Sequence, residues 1–333
     1  MSVFFFNEST LPPAERLRRG VCLSISCLRE KLPGVEGAEF FLQFGPGFET
    51  GRLFDEAPVS LELALLPGMP AHPTPDQLSP RLEFGSSRGV SVLVSHGHRH
   101  LSEGLGLYPC ILPLAIAAKL GIRKHFFIDN AISLIPEIKA GNWALLTDFL
   151  NGYAFTPLDG LHDFFKEPCP NLSNALSQHL NSELVNALDQ VGVSCRLCTY
   201  QALPGFHFCT GAEAELARKN GADILGHDLV MEIIFSHALG CQVAAAVLAS
   251  GQNLSAGHSS LKREDTLAAC QFCGKEFLRG ISIAMQEISK EEKQARQIRL
   301  PEAKADEILQ QSITIKSGKK HPFKPLRKEA TEE

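Results

Sequence analysis

No apolar stretch in the 333 residues reaches the roughly 18 to 20 positions needed to cross a bilayer, which argues against a membrane-spanning chain. The start, Met1-Ser2-Val3-Phe4-Phe5-Phe6-Asn7, lacks a basic segment followed by a long apolar one, so the expectation is a cytoplasmic protein with no membrane partner. An excess of one charge is also missing. With 32 basic and 37 acidic side chains the formal charge is −5, which supplies no general field for nucleic acid. The ten cysteines lack regular spacing, and a chain of this length does not depend on disulfides, so most are expected to be reduced apolar fillers. No internal repeat is present. What remains is a composition of 44% hydrophobic and 21% charged residues, enough to build a folded core.

Short apolar runs alternate with amphipathic stretches. Phe40–Phe44, Val90–Val94, His125–Ile128 and Val243–Leu248 read as strands buried on both faces of a sheet. Helices are expected over Pro113–Leu120, Ala212–Asn220 and Leu229–Leu239, each followed by a glycine suited to a C-terminal cap. Such alternation predicts an α/β fold with a mostly parallel or mixed sheet covered by helices on both sides. Pro67–Arg88, rich in proline, serine and glycine, reads as a surface excursion with room for a short hairpin. From Glu264 a helical pattern carries Leu267, Phe272, Phe277, Ile281 and Met285, then becomes strongly charged. The expected organisation is one α/β domain over 1–288, a charged helical extension over 289–315 and a disordered basic tail over 316–333.

In open α/β sheets, chemistry gathers in the loops at the carboxyl ends of strands. The loop at Ser95-His96-Gly97-His98-Arg99-His100-Leu101-Ser102-Glu103-Gly104 concentrates titratable groups. His98 and His100, two apart on an extended segment, should project to the same side, as an anion site or a metal site requires. Other candidate loops are Phe44–Gly51, Asp129-Asn130-Ala131, Gly205–Glu213 and Gly221–Asp228.

The order of these motifs resembles one family. Gly97, His100, Glu103 and Gly104, then Asn130-Ala131, Asp148 and Asn151 with Pro157-Leu158 and Gly160, Tyr200, Gly205–Glu213, and Gly221-Ala222-Asp223, Gly226 and Glu232, are similar to the trimeric class of purine nucleoside phosphorylases over roughly residues 14–288. The resemblance implies a phosphorylase/hydrolase-like fold with a central mixed β-sheet flanked by helices on both sides. It also implies phosphorolysis of a purine nucleoside or deoxynucleoside to free base and the sugar 1-phosphate. No metal or organic cofactor is implied; phosphate is co-substrate, and the chain is expected to form a homotrimer.

Carried over residue by residue, the resemblance places the catalytic positions at Asn130, His100 and Tyr200. The phosphate positions fall on Pro46, His98, His100, Ala131 and Asp228, and only His100 and the Ala131 amide keep the expected chemistry. Pro46 offers no hydroxyl, His98 stands for an arginine, and Asp228 stands for a serine. A carboxylate about 4 Å from a bound phosphate, at an effective dielectric near 20, opposes it by about 4 kcal/mol. Arg99 adjoins the arginine position but points the other way on an extended segment. The base and ribose positions are Ser102, Phe208, Cys209, His227, Gly251 and Arg263. Phe208 keeps a stacking ring, while Cys209 replaces a purine-binding carboxylate and Gly251 falls where an asparagine is expected. Gly45-Pro46-Gly47-Phe48-Glu49-Thr50 imitates the base-binding motif in the wrong loop and reads as a coincidence.

Three functional readings follow. The first is a phosphorylase or related N-glycosidic enzyme with altered or reduced activity. The second is an inactive nucleoside- or metabolite-binding protein on the same scaffold. The third is a metal-assisted hydrolase built on His98, His100, His227 and Asp228, with Cys209 and His207 nearby. The pairs Cys195/Cys198 and Cys270/Cys273 lie too far apart in the chain for a compact zinc ribbon and are read as core.

Overall fold

The computed structural model describes residues 11–70, 79–254 and 262–316, with side chains described as far as residue 295. The basic segment 317–333 and the middle of the proline-rich segment, 71–78, lie outside the described residues. By spatial clustering the chain forms two units, 1–288 and 289–333. Among the described residues there are six α-helices: α1 (Pro13–Lys31), α2 (Tyr108–Lys119), α3 (Gln178–Gln190), α4 (Gly211–Lys219), α5 (Val230–Ala238) and α6 (Arg263–Lys316). Nine strands accompany them: β1 (Phe40–Phe44), β2 (Val59–Glu62), β3 (Arg81–Ser87), β4 (Val90–His96), β5 (Lys124–Ser133), β6 (Trp143–Leu150), β7 (Cys195–Ala202), β8 (Ile224–Gly226) and β9 (Gln242–Gln252).

The strands form one mixed sheet in the order β2-β3-β4-β1-β5-β8-β7-β6-β9, with a further pairing of β5 to β9. Alternation along the central strands sends successive side chains to opposite layers. On one face Phe41, Phe127, Ala245 and Val247 join Leu17, Val21, Ile111 and Ile233 from α1, α2 and α5. On the other Phe40, Leu42, Phe126 and Ala246 join Leu184 of α3 and Phe277, Ile281 and Met285 of α6. The expected α/β sheet with helices on both faces is the fold observed. On the second face the Trp143 indole stacks on Phe277 with ring centroids 3.7 Å apart.

Several elements differ from their sequence reading. The segment after Pro67 ends in β3, which pairs antiparallel with β4 over seven residues, so the surface excursion contains a full strand of a hairpin. Helix α2 starts at Tyr108, with Pro113 inside it rather than at its head. Phe272 stands off the buried stripe of α6, 82% exposed. The glycine caps are as read: Gly121, Gly221 and Gly240 all hold positive φ just past their helices.

One feature of the sheet places the site. Residues 124–128 of β5 pair with β1 on one side and β9 on the other. At Ile132 and Ser133 the neighbour is β8, running antiparallel, instead of β1. Between Ile128 and Ile132 the strand exchanges partners, and the Asp129-Asn130-Ala131 step is left without a neighbour on that side. A crevice opens where the sheet changes partner, the general location of ligand sites in such folds.

Candidate functional site

The cleft at this exchange point encloses about 200 Å³. Pro46 from the loop after β1, His100 and Ser102 after β4, and Asp129, Asn130 and Ala131 of β5 line one end. Phe206, His207, Phe208 and Cys209 before α4, His227 and Asp228 before α5, and Arg263, Thr266 and Leu267 of α6 line the rest. Ten of the sequence-derived positions thus face one space: Pro46, His100, Ser102, Asn130, Ala131, Phe208, Cys209, His227, Asp228 and Arg263.

The short loops have local causes. Gly45 follows β1 with its amide bonded to the Ile128 carbonyl at 2.8 Å, and a Cβ there would run into the Asp129 carboxylate. Glu103 ties the loop after β4, accepting from the His100 amide at 2.7 Å and from Arg99 Nη1 at 2.8 Å. Arg99 is thereby turned away from the cleft, its Nη2 donating to the Pro70 carbonyl. The base-like motif of the first loop also points elsewhere: Phe48 packs between Phe44 and Trp143, and Glu49 pairs with Arg52 at the surface.

Asp228 sits at the centre. Its Oδ2 lies 2.7 Å from His100 Nδ1 and 3.7 Å from His98 Nε2. His98 is buried behind His100, ring centroids 4.3 Å apart, with a side chain only 2% exposed. Behind both, Glu232 Oε1 is 3.8 Å from His98 Nε2 and 3.5 Å from Gln43 Nε2. The backbone presenting Asp228 is strained: Leu229 holds φ +60°, and the Val230 amide bonds back to the Asp228 carbonyl at 2.7 Å, a tight turn of the rare left-handed kind. Tyr200 Oη donates to the same carbonyl at 3.2 Å.

Electrostatics follow from this crowding. Burial works against a charged His100, yet the Asp228 charge and hydrogen bond prevail and raise its pKa to about 9. Burial likewise opposes ionisation of Asp228, but His100 and then His98 hold it far below the usual carboxylate range. Glu232 goes the other way: burial, then the Asp228 charge, push it to about 7. Asp129 is also raised, chiefly by burial, while its Oδ1 accepts from the Asn130 amide at 2.7 Å.

Three sequence-derived placements differ in the structure. Tyr200 is buried beneath the cleft and acts on the Asp228 backbone, so it does not line the ligand space. Gly251 lies within β9, paired with Ile132, and does not line the cleft; the side-chain amide beside Cys209 belongs to Asn253, whose Nδ2 is 3.4 Å from Cys209 Sγ. His227 is turned from the Asp228 cluster, its Nδ1 3.1 Å from the Leu203 carbonyl, and His207 stands near it, pairing with Glu213 at 3.7 Å. Asp129 lines the cleft without having been a sequence-derived site position, and Glu232 entered the sequence reading only as part of a motif. A charged residue closing the apolar run Phe126-Phe127-Ile128 was the available signal for Asp129.

Comparison with known proteins gives the family and the fold. Residues 61–282 match the family described as the phosphorylase superfamily. Purine nucleoside phosphorylase 1 of Bacillus subtilis (strain 168) is 28% identical over 219 residues, covering 65% of this chain and 79% of that protein. The purine nucleoside phosphorylase of a Cellulomonas species is 28% identical over 267 residues, covering 77% and 88%. A solved structure of a schistosoma purine nucleoside phosphorylase in complex with hypoxanthine superposes with a TM-score of 0.70 at 22% identity, covering 80% of this chain and 96% of that one. Isoform 2 of the Schistosoma mansoni enzyme, solved with cytosine and ribose-1-phosphate, gives 0.72 at 19% identity, covering 80% and 95%.

Proposed function

Because this chain belongs to the phosphorylase superfamily, and within it to the purine nucleoside phosphorylases, we propose that it binds a purine nucleoside in the cleft with strongly reduced phosphorolysis. The observation that carries this is the Asp228 carboxylate 2.7 Å from His100, in the position where the resemblance puts a phosphate ligand. In an active site of this type, phosphate attacks the anomeric carbon as the purine leaves, and the protein must hold a dianion, orient the sugar and stabilise the departing base. Here His100 is already neutralised by Asp228, and incoming phosphate would have to displace that carboxylate or lie against it. The opposition of about 4 kcal/mol corresponds to about a thousandfold in phosphate affinity.

At the other end Phe208 offers a ring to a flat base, and Arg263 stacks over Phe206, 4.7 Å from its centroid. Cys209 and Asn253 face each other where a purine edge would lie, but a thiol is a poor acceptor compared with a carboxylate. Base binding therefore rests on stacking more than on hydrogen-bond readout. Hydrolysis with Asp228 as base is disfavoured by its own environment, since a carboxylate held so far below its usual pKa has little affinity for a proton. By the same family reading we expect no organic cofactor, a homotrimer and a cytoplasmic location; among the described residues no helix is long and apolar enough to cross a membrane.

The test compares the natural chain with Asp228→Ser. Base release from inosine and guanosine is followed at increasing phosphate. Negligible phosphate-dependent release by the natural chain, with phosphate-dependent release that saturates in the variant, is the expected result. Rapid phosphorolysis by the natural chain at millimolar phosphate would overturn the reading.

A further inference from the structure

The histidine and carboxylate cluster in the wall of the cleft has more donors than its hydrogen bonds use. His98, His100 and Asp228 each offer a donor atom, and the three lie within 4.8 Å of one another. His98 is the telling member: neither ring nitrogen has a hydrogen-bond partner, although the side chain is almost wholly buried. Its Nε2 faces Asp228 Oδ2 at 3.7 Å and Glu232 Oε1 at 3.8 Å, distances too long for hydrogen bonds, and Glu232 Oε2 is also unpartnered. Buried polar groups are nearly always hydrogen-bonded, so an arrangement of this kind calls for something between them.

We propose that His98 Nε2, His100 Nδ1 and Asp228 Oδ2 bind a divalent transition metal ion of the zinc class, with Glu232 as the fourth donor. Tetrahedral zinc takes imidazole and carboxylate donors at about 2.0–2.2 Å, which sets neighbouring donor atoms about 3.3–3.5 Å apart. The observed separations of 2.7, 3.7 and 3.8 Å bracket that value, so the site closes by small side-chain adjustments. Two imidazoles with carboxylates suit zinc, nickel or cobalt better than calcium or magnesium, which prefer all-oxygen sites. The ion also gives the Asp228 and Glu232 carboxyl groups, which crowd His98 at 3.7 and 3.8 Å, a common partner. Outer contacts fix the donors: Gln43 Nε2 approaches Glu232, and Tyr200 Oη holds the Asp228 backbone. The pairs Cys195/Cys198 and Cys270/Cys273 are not part of the site; Cys198 and Cys270 are buried in separate hydrophobic clusters.

Full-length protein made without a histidine tag is analysed for metal, stripped with chelator and titrated with zinc by calorimetry. One equivalent of metal per chain is expected, with affinity lowered at least a hundredfold in His98→Ala and in Asp228→Asn. Cys195→Ser/Cys198→Ser should bind as the natural chain does. Folding of each variant is checked by circular dichroism. The natural chain itself supplies a readout independent of any variant: cobalt loaded at the site should give visible ligand-field bands without thiolate charge-transfer absorption. Absence of zinc binding, unaltered affinity in both ligand variants, or a thiolate-type cobalt spectrum would each overturn the proposal. The metal site and the nucleoside reading share His100 and Asp228, but none of these readouts depends on nucleoside turnover, so a failure of one is distinguishable from a failure of the other.

Discussion

Cys209 shows how far a single position can be read. Its place in the run Gly205–Glu213 was legible, because the spacing to Gly221-Ala222-Asp223 is set by the short helix α4 between them. Asn253, its partner at 3.4 Å, was not legible, because its place depends on where β9 ends and on the register shift of the β5–β9 pair at Ala131/Ile132. The same holds for Glu232. Its proximity to His98 joins residues that are far apart in sequence, and only the packing of α5 brings them together. Cys209→Glu gives Asn253 a stronger acceptor and gives a purine edge a charged partner. Hypoxanthine binding measured by calorimetry should tighten by about ten- to a hundredfold, the range of a hydrogen bond to a charged group. Unchanged affinity would mean that the thiol does not face the base.

Strands and helices were legible where one signal dominated. Phe40–Phe44 forms β1 with the bounds its apolar run suggested, and three helices end at the glycines that marked them. β5 and β9 run to ten and eleven residues because polar and small residues continue the pairing past the apolar run, which composition alone does not reveal. α1 carries the buried stripe Leu17, Val21, Ile25 and Leu28 at helical spacing, a periodicity legible in the sequence itself. Packing between elements sets two further expectations. Phe277→Ala removes the ring stacked on Trp143 and leaves a cavity under β6; a loss of about 3–5 kcal/mol in urea unfolding is expected. Gly45→Ala pushes a methyl group against the Asp129 carboxylate at the partner exchange of β5. A loss of about 1–3 kcal/mol should accompany weakened ligand binding.

For the molecule as a whole, stability should depend on acid through a group remote from the cleft. Glu83 of β3 is bonded by Arg81 Nε at 2.7 Å and Thr50 Oγ1 at 2.8 Å, with His96 at 3.7 Å. Burial opposes its ionisation, but these partners outweigh burial and lower its pKa to about 2. The folded state thus binds this proton less readily than the unfolded chain. Its stabilising contribution is present above about pH 4.5 and is lost as pH falls toward about 2. Urea midpoints of the natural chain should fall over that interval more steeply than those of Glu83→Gln, which should start lower at neutral pH. Parallel curves would remove Glu83 from the acid response.

The stack of Trp143 on Phe277 has an optical consequence, since Trp143 is the sole tryptophan of the chain. The indole is 3% exposed and does not line the cleft, so its emission reports the apolar layer between the sheet and α6. Denaturant should shift that emission to the red in a single step as water reaches the ring. Nucleoside or zinc added to the folded protein should leave the spectrum almost unchanged. Intrinsic fluorescence is therefore a clean measure of unfolding here, and occupancy of the cleft has to be read through calorimetry or a fluorescent ligand.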